Sequence, residues 1–111
     1  MKEIENKSWK VLDKEGKEVN ETLLMIISYC INIGTKENEF PSGIEGFRLL
    51  RRISESFDNA DKSGKIIFED KDYEIVKKCV EKFIPANWSA NPNVFSAIES
   101  FLNLSQILKI N

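Results

Sequence analysis

The stretch Gly64–Ile84 most constrains the fold, because it changes from a strand pattern to a helix pattern and then stops at a proline. Bulky residues follow the turn glycine at Lys65–Phe68, which predicts a strand buried on most sides. Asp70 is expected to cap the helix, since its carboxylate can accept amide hydrogens of the first turn. Pro85 cannot continue the helix with a normal hydrogen bond. The segment therefore predicts a strand followed by an amphipathic helix.

A short hairpin is predicted near the N-terminus. Lys7–Leu12 and Lys17–Val19 would form its arms on either side of a turn at residues 13–16. A two-stranded hairpin alone is only marginally stable. We therefore expect Lys65–Phe68 to pair with it in a small antiparallel sheet.

The first predicted helix, Glu21–Ile33, is apolar around nearly its whole circumference. Asn20 is expected to cap its start, and Gly34 is expected to end it. A helix that is apolar on all sides lies in a core or in an oligomer interface.

The second predicted helix begins at Ser42, which has capping-box spacing to Glu45. Its expected core face carries five apolar residues at helical spacing: Ile44, Phe47, Leu50, Ile53 and Phe57. The polar segment that follows, Asp58–Gly64, is expected to be a loop.

Asn91 and Pro92 combine a good capping residue with a proline at the first helical position, which predicts a final helix. Its apolar face is expected to extend as far as Leu108, and Trp88 is placed in a loop before it. The fold class is therefore α+β and predominantly helical, with about four helices and a small two- to three-stranded antiparallel sheet. The 111 residues suit one compact domain.

Composition restricts the location and the partners. The chain has 16 basic and 18 acidic residues, a formal net charge of −2, which gives no general attraction to nucleic acid or to anionic membranes. The first residues lack the apolar run of a signal peptide, and the apolar segment Leu23–Ile33 is too short to span a bilayer. We expect a cytoplasmic protein with Cys30 and Cys79 as buried free thiols.

The sequence has no residue pattern typical of catalysis. It contains no histidine, the commonest general base and zinc ligand, and its two cysteines are far apart. No glycine-rich phosphate loop and no nucleophile elbow occur. We therefore expect a protein that is not an enzyme and that needs no cofactor.

Two groups of side chains are candidates for binding a ligand or a partner. Arg48, Arg51 and Arg52 lie close together on a predicted helix and could contact phosphate or an acidic partner, or form a solvated face paired with nearby glutamates. Trp9 and Trp88 could anchor a partner, since tryptophan is enriched at interface hot spots, or could lie at the rim of the core.

The segment Asn59–Asp70 resembles the twelve-residue calcium loop of the EF-hand family. The ligand oxygens would come from Asn59, Asp61, Ser63 and Asp70, with Gly64 at the sixth position. Asparagine at the first ligand and the short aspartate at the last depart from the family's pattern. We expect no metal site here and treat weak calcium binding as the alternative.

The layout of the chain also resembles small uncharacterised proteins of tailed bacteriophages and prophages. The matching stretches are Val11–Val19, Phe47–Phe57 and Gly64–Val76. The resemblance implies an accessory or virion-associated protein that works by contacts, in the host cytoplasm or the virion. It implies no catalytic residues.

The leading hypothesis is therefore a non-enzymatic phage or prophage protein that binds another protein and self-associates as a homo-oligomer. The alternative is a module that binds a small nucleotide, such as a phage antagonist of host defence signalling. In that case the three arginines would meet phosphates, and Trp88 or Tyr73 would stack on the base.

Overall fold

The computed structural model describes residues 1–104, which fold into an α+β structure that is predominantly helical, as predicted. The strands are β1 (Lys2–Glu5), β2 (Ser8–Leu12), β3 (Glu18–Thr22) and β4 (Lys65–Phe68). The helices are α1 (Leu23–Lys36), α2 (Gly43–Ser63), α3 (Asp70–Phe83) and α4 (Pro92–Leu102), with a short 3-10 helix at Ala86–Ala90.

The strands form two separate antiparallel pairs. The predicted hairpin is present as β2 and β3, with Val11 opposite Val19, although its second arm continues to Thr22. The prediction that β4 pairs with this hairpin is wrong, because β4 pairs with β1. In that pair Ile4 lies opposite Ile66, and both side chains are buried. Lys2–Glu5 contains only one apolar residue, Ile4, so the sequence has no alternation that would predict this strand.

Strand β4 is also less buried than predicted. Ile66 and Phe68 point into the core, whereas Ile67 between them is about one-third exposed. The strand therefore shows the usual alternation of a sheet with one covered face.

Helix α1 begins at Leu23, two residues later than predicted. Thr22, not Asn20, occupies the capping position, and its hydroxyl oxygen accepts a hydrogen bond from the Met25 amide at 3.3 Å. The side chain of Asn6 accepts another from the Leu24 amide at 2.9 Å. Asn20 belongs to β3, which ends at Thr22. Helix α1 therefore follows the strand without a connecting loop.

Gly34 does not end α1, contrary to prediction, because the helix continues to Lys36. The glycine is buried where α1 meets α3, and a Cβ at this position would lie 2.7 Å from the Cys79 sulfur. Its role is therefore close helix packing. Helix α1 lies in the core, which is one of the two locations predicted for it. Most of its apolar side chains are buried, and only Met25 and Tyr29 are substantially exposed.

Helix α2 is longer than predicted. Ser42 is its capping residue, but its side chain makes no capping hydrogen bond, so the expected capping box with Glu45 is absent. The predicted loop Asp58–Gly64 is instead the last part of the helix, which ends at Gly64 in the left-handed conformation, with φ of 78°. Ala60 is buried in this part of α2. The polar residues around it cover the solvent side of a helix that still contributes to the core.

The core face of α2 also differs from the predicted one. The buried residues are Gly46, Leu49, Ile53 and Ala60. Ile44, Phe47 and Leu50 were expected in the core, but they lie on the outer side and remain exposed, by 58%, 71% and 36% of their surface.

Helix α3 begins with Asp70 as its first residue, and Glu69 takes the capping position, so the predicted role of Asp70 as the cap is wrong. The carboxylate of Asp70 pairs with the N-terminal amine at 3.1 Å, which lowers the pKa of Asp70. The helix ends at Phe83, before Pro85, as predicted.

The chain after α3 forms the 3-10 helix, which contains Trp88, and then α4. Trp88 is therefore not in an irregular loop. Asn91 caps α4 as predicted, since its side-chain oxygen accepts a hydrogen bond from the Asn93 amide at 2.9 Å. The predicted extension of this apolar face to Leu108 lies outside the described residues. Within residues 1–104, no helix combines the length and the apolar character needed to cross a bilayer.

An aromatic group joins α3, α4 and β4 in the core. The ring of Phe101 packs edge-on against Tyr73 and Phe68, with centroid distances of 5.2 and 6.4 Å. The Tyr73 hydroxyl donates a hydrogen bond to the Phe101 carbonyl oxygen at 2.6 Å. The buried phenol therefore has a partner, and its apolar ring stabilises the same contact.

Gly46→Ala tests the close approach between the start of α2 and the segment before it. A Cβ at Gly46 would lie 1.9 Å from the Pro41 carbonyl oxygen. We expect the free energy of unfolding to fall by about 2 kcal/mol or more, although alanine normally favours a helix interior over glycine. Urea denaturation measures the change.

The control for this substitution is Ser54→Ala at an exposed position of the same helix. It should change the stability by less than about 0.5 kcal/mol. Stabilisation by Gly46→Ala, as expected from helix propensity alone, would contradict the close approach.

Candidate functional site

The three candidate arginines do not act as one cluster. Arg51 points along the outer side of α2 and pairs with Glu55, one turn later, at 3.0 Å. Arg52 points toward α3 and pairs with Asp72. Arg48 makes no ion pair with any residue from 1 to 104. The structure therefore separates Arg51 from the other two.

The pair of Arg52 with Asp72 joins α2 to α3. Arg52 donates from Nε and Nη2 to the two carboxylate oxygens, at 2.8 and 2.9 Å. The Asp72 side chain is only 4% exposed, so the guanidinium compensates for the loss of water around the carboxylate. The hydrogen bond to Asp72 raises the pKa of Arg52 further above its ordinary value. The pair fixes the distance between the two helices.

A groove runs along α3, bounded on its other side by α2 and by the segment before α2, and we call it the α2–α3 groove. One cleft of about 340 Å³ and another of about 520 Å³ adjoin at Pro41 and Ile75, which line both. The α2 wall carries Glu45, Arg48 and Arg52, spaced three and four residues apart. The α3 wall carries Lys71, Ile75, Lys78 and Lys82 at similar spacing, and Glu39 lies beside Lys82.

Positive charge predominates in this groove, although the whole chain is slightly acidic. Its walls carry five cations, namely Arg48, Arg52, Lys71, Lys78 and Lys82, and three carboxylates, namely Glu39, Glu45 and Asp72. Arg52 is neutralised by Asp72, and Lys82 pairs with Glu39. Arg48, Lys71 and Lys78 remain without an ion pair among the described residues.

The two tryptophans lie away from this groove. Trp9 is buried in the hairpin, where its indole nitrogen donates a hydrogen bond to Glu21 at 3.0 Å. Trp88 packs against Tyr29 of α1, with ring centroids 4.9 Å apart. Tyr73 is fully buried. None of these aromatic rings lines the clefts with Arg48 and Arg52, so the stacking platform of the nucleotide hypothesis is not beside the arginines.

The residues of the EF-hand-like segment belong to three regular elements. Asn59, Asp61 and Ser63 lie in the last turns of α2, and Asp70 begins α3 after the whole of β4. The Ser63 hydroxyl donates a hydrogen bond to the Asn59 carbonyl oxygen at 2.9 Å, within the helix. Residues two apart on a helix do not face each other, so Asn59 and Asp61 diverge. The segment does not have the conformation of a calcium loop.

A second surface feature is the exposed apolar group Ile44, Phe47 and Leu50, which we call the α2 patch. Phe47 is the most exposed phenylalanine of the described residues, with 71% of its surface accessible. Arg51 continues the same side of the helix and is paired with Glu55. Helical periodicity detects this apolar stripe correctly, but it cannot tell whether the stripe faces the core or the solvent.

Cys30 and Cys79 are both free and buried. Burial, with a smaller contribution from the nearby Cys79, raises the pKa of the Cys30 thiol to about 11. Burial also raises the pKa of Cys79, with a further contribution from Glu39. Since the thiolate is the nucleophile, these cysteines are poor candidates for covalent chemistry at neutral pH.

Arg52→Met is expected to destabilise the fold far more than Arg51→Met. The first change leaves the Asp72 carboxylate buried without a partner, whereas the second removes only an exposed ion pair. We expect the loss in free energy of unfolding to be about three times larger or more for Arg52→Met. Urea denaturation of both variants measures the ratio.

Adding Asp72→Leu to the Arg52→Met variant removes the buried carboxylate that has lost its partner. The double variant should therefore recover much of the lost free energy of unfolding. Equal losses in the free energy of unfolding for Arg52→Met and Arg51→Met would contradict the expectation that the pair of Arg52 with Asp72 contributes more than the exposed pair.

The thiols predict a stability change at alkaline pH. Above about pH 9 the unfolded chain ionises Cys30, whereas the folded chain keeps it protonated until its pKa of about 11. The contribution of the protonated Cys30 thiol to the free energy of unfolding is fully present below pH 9. It is lost as the pH rises toward 11, by an amount on the order of 2 kcal/mol. Thermal unfolding from pH 8 to 11 should show a shallower decline for Cys30→Ala than for the parent. Parallel declines would contradict the assignment.

Comparisons with known proteins provide no further identification. The chain matches no protein-family model, no curated protein and no solved structure. The resemblance to phage proteins and the hypotheses about function therefore remain predictions, and the geometry described above is the basis for a proposal.

Proposed function

We propose that this protein acts by contacts with other protein chains and not by catalysis, and that it self-associates through the α2 patch. The observation that carries the proposal is the exposure of Ile44, Phe47 and Leu50 on one side of α2. A phage or prophage accessory protein in the host cytoplasm or the virion is the context that we propose from the resemblance of the sequence.

The energy for association comes from removing these side chains from water. Burial of apolar surface contributes roughly 25 cal/mol per Å². Phe47 contributes most, because a phenylalanine has a large apolar surface and is mostly accessible here. Three side chains are few beside the roughly 20–30 residues per partner of a standard interface. We therefore expect a weak dimer, with a dissociation constant on the order of 10–100 µM.

A second copy of this chain suits the patch because a two-fold axis places identical surfaces against each other. The apolar group of one copy then meets the apolar group of the other. The charges next to it, Arg51 and Glu55, already neutralise each other within one chain. Two copies can therefore approach without net repulsion between like charges at this edge of the patch.

Sedimentation equilibrium of the parent and of Phe47→Glu tests self-association, at protein concentrations from about 5 µM to 1 mM. We expect the parent to shift from monomer to dimer with rising concentration and Phe47→Glu to stay monomeric, since a buried unpaired carboxylate opposes the interface. A parent that stays monomeric over the whole range would overturn the proposal.

The matched control is Phe95→Glu on α4, where the same residue type is 51% exposed outside the patch. It should dimerise like the parent. If Phe95→Glu disrupts the dimer while Phe47→Glu does not, self-association uses a different surface and the α2 patch is not the interface.

A further inference from the structure

We propose that the α2–α3 groove binds an acidic peptide segment of a partner protein. This groove is lined by three cations that form no ion pair with any residue from 1 to 104, namely Arg48, Lys71 and Lys78. Arg48 projects from α2, and the two lysines project from α3. A ligand in the smaller cleft would therefore meet Arg48 and Lys71 on opposite walls, and Lys78 lies further along α3 in the larger cleft, in a protein whose net charge is −2.

The spacing of the cations favours a ligand with several separate negative charges. Lys71 and Lys78 are seven residues apart on α3, a distance of about 10 Å along the helix axis. An extended peptide advances about 3.3 Å per residue, so carboxylates three residues apart span the same distance. One phosphate group can contact only one end of this row. A peptide with acidic residues on both sides of a short centre can reach both lysines.

The centre of the groove is apolar. Ile75 lies between Lys71 and Lys78 on the α3 wall and is partly exposed, and Pro41 lies across from it. Phe83 lines the larger cleft and is also partly exposed. A peptide with an apolar residue between its acidic residues would cover this centre while its carboxylates reach the lysines. The groove thus fits an acidic segment with an apolar centre.

Nucleotides fit the groove less well. Recognition of a base commonly uses an aromatic ring as a stacking surface. Among the described residues that line the two clefts, Phe83 is the only aromatic one, and Lys82 already lies over its ring at 5.6 Å from the centroid. Lys71 and Lys78 also lie too far apart along α3 to converge on one phosphate. The observations therefore favour a peptide.

This site can be tested separately from self-association. The groove wall of α2 contains Arg48 and Arg52, whereas the α2 patch is centred on Phe47 on another side of the helix. Phe47→Glu should therefore abolish dimerisation without changing the affinity for an acidic peptide by more than about twofold. The two proposals can fail separately.

The probe is a capped, fluorescein-labelled hexapeptide with two glutamates on each side of a leucine pair, measured by fluorescence anisotropy. A peptide with glutamine in place of every glutamate has the same length and apolar centre but no charge. We expect saturable binding of the acidic peptide, at least about tenfold tighter than that of the glutamine peptide, and weaker binding at high salt. Equal binding of the two peptides, or no binding of either, would overturn the proposal.

Lys78→Glu locates the binding site, with Lys62→Glu as a matched control of identical charge change at the exposed end of α2. We expect Lys78→Glu to weaken binding about tenfold and Lys62→Glu to change it by less than about twofold. Equal effects would mean attraction to the net charge of the protein and not to the groove. Displacement of the peptide by pyrophosphate at matched ionic strength and lower concentration would assign the site to a small phosphate ligand and overturn the peptide assignment.

Discussion

Helix α3 contacts a different partner on each of three sides, and the arrangement of the other helices depends on these contacts. Asp72 receives the guanidinium of Arg52 from α2, and the neighbouring Tyr73 binds the backbone of α4 through its hydroxyl. Toward α1, Cys79 packs where Gly34 has no side chain. An ion pair, a phenol hydrogen bond and a close packing contact thus fix the same helix. The tyrosine and cysteine contacts are buried and the ion pair is partly buried, since Arg52 is 36% exposed, and all three depend on the orientation of α3.

Local patterns predicted the elements better than their ends. Asn91 with Pro92 marks the start of α4 correctly because both preferences act within one turn. Gly34 was misassigned as a helix end because its actual role depends on Cys79, which is distant in sequence. The end of α2 is predicted as a loop because its exposed residues are polar. Only the buried Ala60 indicates that this part of the helix contacts the core. The role of such positions can be predicted only when it is known which helices and strands contact each other.

The candidate site shows the same limit. Sequence identified Arg48 and Arg52 as candidates, but their different surroundings depend on α3, which begins about twenty residues later. Lys78 and Lys82 lie late in α3, where positive charge is favoured at the end of any helix, so the sequence does not mark them as site residues. Only the packing of α2 beside α3 shows that Lys71 lies across a cleft from Arg48 and that Lys78 and Lys82 line the adjoining cleft. The apolar stripe of α2 was likewise visible in the sequence, whereas its exposure was not.

The pairing of β1 with β4 imposes an order on how the chain can assemble. These strands are separated by roughly 60 residues, which include the hairpin, α1 and α2. Bringing the two ends of so long a segment together costs chain entropy, which the contacts between β1 and β4 offset only once the strands have paired. The hairpin and the helices need only local contacts. During synthesis β1 emerges before β4 and has no strand partner until β4 follows. The β1–β4 pair can therefore form only after the hairpin, α1 and α2 have been synthesised.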